Sequence, residues 1–133
     1  MQRDVVIRWI HQISALIARL LRRDPGVSIQ FAQDQLDDAK RMLLGGLDPV
    51  LDRLEPGPAA DFLVDPHRIY GYAQLVALES ALERVRGRAE SASRLGRRAV
   101  ALARKAIDRS EPAPAEWIAW TDAAERDLGA SAE

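Results

Sequence analysis

Cysteine is absent from the 133 residues, which removes disulfide frameworks, thiolate metal sites and cysteine nucleophiles together. Such a chain suits a reducing compartment, and the cytoplasm is the expected location. Long apolar runs are missing as well: Arg8, His11, Gln12 and Arg19 interrupt the most apolar stretch, well short of the roughly 20 residues that cross a bilayer. With those breaks and no small-residue cleavage site after them, neither a membrane span nor a secretory signal is expected. Aromatics make up only 5% of the chain, and the period-2 runs of β-branched and aromatic residues that mark strands do not occur. Lysine is scarce, 2 residues against 17 arginines, while alanine reaches 22. That bias reads as the imprint of a GC-rich bacterial genome, and no mechanism is drawn from it.

What is present is the composition of one globular domain over residues 1–133, 47% hydrophobic and 29% charged. A chain of this length buries roughly two thirds of its unfolded surface, enough for a core without a metal or covalent staple. The formal charge is −1, but its sign alternates in blocks: +4 over residues 1–23, −6 over 24–65, −1 over 66–83, +7 over 84–109 and −5 over 110–133. Blocks of this kind pair within a fold, pair between subunits, or present one sign to an outside partner.

Apolar spacing predicts an all-α chain of antiparallel helical hairpins, with five to six helices over about 3–23, 28–44, 49–54, 66–86, 88–109 and 115–128. In the first, Val6, Ile10, Ile13, Ile17 and Leu20 form a stripe widened by Trp9, Leu16 and Leu21, and Asp24-Pro25-Gly26 ends it. Ser28 is a good N-cap for the second, whose seam runs through Ala32, Leu36, Ala39 and Leu43 and stops at Gly45-Gly46. Asp48-Pro49 and Asp65-Pro66 each place a capping carboxylate before a proline at the first helical position. Between them, Glu55-Pro56-Gly57-Pro58 reads as the internal linker. On a helical projection of residues 88–109, Ala92, Ala99, Leu102, Ala103 and Ala106 share one side, and Arg94, Arg97, Arg98, Arg104, Lys105 and Arg109 fall on the other.

Arg3-Asp4, then Ile10, Gln12 and Ile13 on an amphipathic helix, then a second helix closing on Leu43-Leu44-Gly45 and Leu47-Asp48, resemble an uncharacterised bacterial family of small tetratricopeptide-like helical proteins. The resemblance covers roughly residues 1–109 and implies a hairpin array with no assigned activity. Residues 73–106 also resemble one degenerate tetratricopeptide repeat of 34 residues. Ser80, Gly87, Ala92 and Ala99 stand at its small positions, while Glu79, Glu83 and Arg104 replace its usual leucine, large aromatic and closing proline.

Catalytic motifs are thin. No G-x-S-x-G occurs, Gly45-Gly46 lacks the lysine of a phosphate loop, and neither His11 nor His67 has metal-ligand spacing around it. Asp34, Asp37 and Asp38 form the best carboxylate cluster, although Asp37 and Arg41 read as an ordinary i,i+4 pair. No catalytic residue, cofactor or metal is therefore expected, and the chain is expected not to be an enzyme. The leading expectation is a protein that works by contact, with a protein partner or with itself, through Trp9, Trp117 and Trp120, tryptophan being enriched at interface hot spots. The alternative is a nucleic-acid-binding protein whose Arg94, Arg97, Arg98 and Arg104 neutralise phosphates.

Overall fold

The computed structural model describes residues 3–132, with the side chains of residues 5–129, and every regular element among them is a helix. In chain order they are α1 (Arg3–Leu21), α2 (Ile29–Leu44), α3 (Asp48–Leu51), α4 (Pro56–Leu63), α5 (Pro66–Val85), α6 (Ala89–Asp108) and α7 (Ala115–Ala132). None is long and apolar enough to cross a membrane.

Local chemistry fixes most of the ends. Ser28 Oγ accepts the Phe31 N–H at 3.0 Å, and Asp65 Oδ1 accepts the His67 N–H at 2.9 Å, which satisfies one of the unpaired first-turn donors of α2 and α5. Gly45 closes α2 with φ +62° and Gly87 separates α5 from α6 with φ +79°, conformations that cost other residues about 1 kcal/mol. Several ends differ from expectation. α7 runs to Ala132, past the expected 128. Asp48 lies inside α3, which starts from Leu47 without a side-chain cap. The linker expected at Glu55-Pro56-Gly57-Pro58 is instead the first turn of α4, because a first turn needs no N–H from proline and its fixed φ already suits a helix. That makes seven helices among the described residues, where five to six were expected.

α4 ends in a strained turn. Val64 has φ +66° and ψ −59°, and the Asp65 N–H reaches back to Leu63 O at 2.7 Å, a γ-turn of the disfavoured hand. A β-branched residue held there costs on the order of 1–3 kcal/mol.

α5 and α6 are the most extensively packed pair, and α5 also receives α1, α2 and α4. Ser80 Oγ donates to Ala92 O, and Tyr72 accepts from Arg98, so positions on either side of the Gly87 turn meet in mirrored order as the two helices fold back together. Small residues permit the close approach: Ala92, Ala99, Ala103 and Ala106 line the buried side of α6. Val6, Ile10, Ile13 and Ile17 bring α1 onto the same core, which continues through Leu36, Leu44, Ile69, Leu75 and Leu102. Leu21, expected to widen the α1 stripe, is 59% exposed because the helix ends there, beyond the surface it packs on.

Candidate functional site

Each of α1 and α7 covers part of the central helices, and between them lies a groove of about 770 Å³ with the first half of α5 as its floor. Val6, Ile7 and Ile10 form the α1 wall, Met42 and Leu43 close the α2 end, and Trp117 and Trp120 form the α7 wall. On the floor, Gly71 admits α1 and α2 closely: a Cβ there would meet Leu43 Cδ2 at 3.3 Å and Val6 Cγ1 at 3.9 Å.

The α7 wall is an aromatic stack. Tyr70 lies face to face with Trp117, with centroids 4.4 Å apart and planes at 12°, and edge-on to Trp120 at 5.7 Å. His67 meets Trp117 edge-on at 5.0 Å. Such pairs contribute about 0.5–1.5 kcal/mol beyond burial and favour fixed geometry. Burial, with the Glu116 carboxylate beside it, pushes the Tyr70 hydroxyl up to about 12.

The α2 end is different. Arg68 donates from Nη2 to Leu43 O at 2.9 Å, a carbonyl in the last turn of α2, while its buried Nε has no hydrogen-bond partner among the described residues. Among the described residues Arg68 forms no ion pair.

A second polar cluster lies on the other side of α5. Lys40, only 5% exposed, places Nζ 2.6 Å from Asp52 Oδ2 and 3.0 Å from Glu79 Oε1. Burial works against its charge, but Glu79 and Asp52 outweigh it and hold the ammonium pKa above the ordinary lysine value. Burial raises the Glu79 carboxyl, and Lys40 opposes that only in part. The Tyr72 hydroxyl donates to Asp52 Oδ1 and accepts from Arg98 Nη2 at 2.9 Å. Arg98 also donates to Leu51 O at the end of α3 and to Leu54 O in the turn that follows it. These contacts tie the α3–α4 corner to α5 and α6.

The residues singled out in the sequence are therefore divided. Trp117 and Trp120 line the groove, but Trp117 is buried in the chain's own core and only Trp120 is half-buried. Trp9, also half-buried against the core, does not line it. The expectation of Trp117 as an exposed anchor is corrected by its stacking on Tyr70. Arg98 leaves the basic face for the Leu51 and Leu54 carbonyls, because its long stem lets a position at the edge of the projection turn inward. Arg104 bridges to α7 through Asp122 at 2.8 Å and Glu125 at 2.7 Å, and Arg109 pairs with Asp61. The basic block thus meets acidic blocks of its own chain. Arg94 and Arg97 are exposed, and Arg94 reaches only Ser91 Oγ at 3.5 Å. Arg41 pairs with Asp38, three residues back, in place of Asp37, whose Oδ1 accepts from Gln33. His11 is exposed at the groove, and no cluster of three or more potential metal ligands occurs among the described residues.

Arg68, Tyr70 and Lys40 were not singled out. Lys40 had a signal: four residues after Leu36 and four before Leu44, it occupies an apolar seam position. Arg68 and Tyr70 had none, since their surroundings are made by α1, α2 and α7. Among the described residues the fold is thus all-helical, with a large groove of apolar and charged lining between α1 and α7. Compared with protein-family models, with curated proteins and with solved structures, the chain matches none.

Proposed function

We propose that this chain is a non-enzymatic contact module, an antiparallel helical hairpin array of the tetratricopeptide-like kind, which receives a protein partner in the groove between α1 and α7. The observation that carries the reading is that the groove's apolar lining continues out to its rim, where Ile7 and Met42 are 48% and 44% exposed. Apolar surface extending from a cleft onto the outside marks an interaction site, and the half-buried Trp120 adds an aromatic residue of the kind enriched at protein interfaces. The lining offers no serine, threonine or lysine as a nucleophile beside His67 or His11.

The nucleic-acid reading draws less support, because Arg98, Arg104 and Arg109 are engaged inside the fold. A phosphate-binding face retains Arg94, Arg97 and Lys105 on α6.

The test is a photo-cross-linking residue at Ile7, with the same residue at exposed Phe62 on α4 as the control. In host cells the reading expects one discrete protein adduct at position 7, identified by mass spectrometry, absent at position 62 and abolished by Met42→Glu. A pattern shared by both positions refutes it. A retarded band of labelled RNA or DNA at low salt, lost when Arg94, Arg97 and Lys105 become glutamate, shifts the assignment to nucleic acid.

A further inference from the structure

We infer that the occupant of the groove is an amphipathic helix of a partner protein that sets a carboxylate on Arg68 and a cation near Glu116. The inference rests on the contact reading and adds the chemistry of the partner.

Three observations carry it. First, the groove has the plan of a missing helix: α1 and α7 are its walls, α5 is its floor, and the two walls make no more than marginal contact with each other. An amphipathic helix laid in such a trough inserts anchors spaced i, i+3 or i+4, and i+7.

Second, Arg68 is incompletely matched. Its Nη2 is bonded to Leu43 O, its buried Nε has no partner among the described residues, and no carboxylate among them stands within ion-pair distance. The buried Nε is out of a ligand's reach, but the same guanidinium keeps Nη1 unbonded among the described residues and not buried, where an arriving carboxylate would supply a charge-assisted bond.

Third, the polar groups are separated by sign. Arg68 lies at the α2 end, against Leu43. Glu116 lies at the α7 wall, close enough to Tyr70 to raise its hydroxyl pKa, and Asp65 stands 3.6 Å from His67 Nδ1. A helix carrying acids alone would meet repulsion from Glu116 and Asp65, so one acidic and one basic edge flanking an apolar seam fit the groove in a single orientation. A second copy of this chain is a poorer occupant, because the apolar stripes of α1, α2 and α6 already face its own core.

The probe is a displayed library of 18-residue helical peptides with a fixed apolar seam and randomised flanking positions, selected on the full chain. The binders are expected to converge on one Asp or Glu beside the seam and one Lys or Arg on its opposite edge. Replacing that acid by its amide should weaken binding at least tenfold to the wild type and less than threefold to Arg68→Gln, whose fold is checked by circular dichroism. Because the amide replacement is made in the peptide, the first comparison needs no altered protein. Binders that cross-link to position 7 but show no preference for an acid, or lose equally on wild type and Arg68→Gln, overturn this inference and leave the contact reading standing. Absence of any peptide that competes with the position-7 adduct, with dodecanoate competing instead, overturns both in favour of a small amphiphile. Light scattering that shows a dimer dissociated by Met42→Glu assigns the groove to a second copy and overturns the partner helix.

Discussion

Replacing Lys40 by methionine keeps the apolar stem that packs against α5 and removes only the ammonium between Asp52 and Glu79. Breaking a fully buried ion pair costs about 3–5 kcal/mol, because the remaining charge is stranded. Here the Lys40 side chain is 6% exposed, but Glu79 keeps 23% and Asp52 40% of their surface, and Asp52 retains the Tyr72 hydroxyl. Water therefore recovers part of the loss, and about 2–3 kcal/mol remains at pH 8. With a urea slope of about 2 kcal/mol/M, the unfolding midpoint falls by roughly 1 M.

The loss should depend on pH. The Glu79 carboxyl is raised above its unfolded value of 4.5, so between those two values the native state binds more protons than the unfolded state and stability declines as pH rises. Without Lys40 that pKa rises further and the window widens. At pH 4.5 the Glu79 of the variant is mostly protonated and no longer stranded as an anion. Asp52 keeps the Tyr72 hydroxyl and its contact with water, so the deficit should shrink to about 1 kcal/mol or less. Adding Glu79→Gln to Lys40→Met should restore most of the pH 8 loss. Urea titrations followed by far-ultraviolet circular dichroism at the two pH values decide the matter. An equal deficit at both, or a double variant no more stable than the single one, would refute the assignment of Lys40 as the counter-ion of Glu79.

Other perturbations read other parts of the fold. Val64→Gly relieves a turn costing about 1–3 kcal/mol and adds roughly 0.5–1 kcal/mol of unfolded-chain entropy, so calorimetry should show Tm rising by about 2–4 °C; a fall contradicts the strain. In an ultraviolet titration of the native protein, Tyr70 should ionise near pH 12, and Glu116→Gln should lower that value. Because its folded pKa exceeds the unfolded 10.0, stability should fall as pH climbs from about 10 to 12. Arg98→Ala leaves the Leu51 and Leu54 carbonyls and the Tyr72 oxygen without their donor and should cost about 2 kcal/mol in urea, whereas Arg97→Ala, on the exposed side, should change stability by less than about 0.5 kcal/mol.

The helical character and most helix ends were legible because they depend on neighbours in sequence. Ser28 and Asp65 act on amides two or three residues away, and Gly45 and Gly87 answer to their own φ. α4 was hidden by its opening Pro56-Gly57-Pro58, whose residues mark loops and first turns alike. The groove was half legible. Trp117 and Trp120 announced themselves as large apolar residues three apart, but their stacking partner Tyr70 stands about fifty residues earlier in the chain, and α1 completes the trough. Arg98 shows where a helical projection fails, since an arginine near the boundary reaches either side.

The double grip of Arg104 on Asp122 and Glu125 has a further consequence, because the helix it holds is also one bank of the trough. Both acids lie near the surface, where dissolved ions weaken such attachments. Brine therefore removes at most about 1 kcal/mol from the attachment of that bank, which stays riveted by Trp117 on Tyr70 and by Leu128 seated against Gly96.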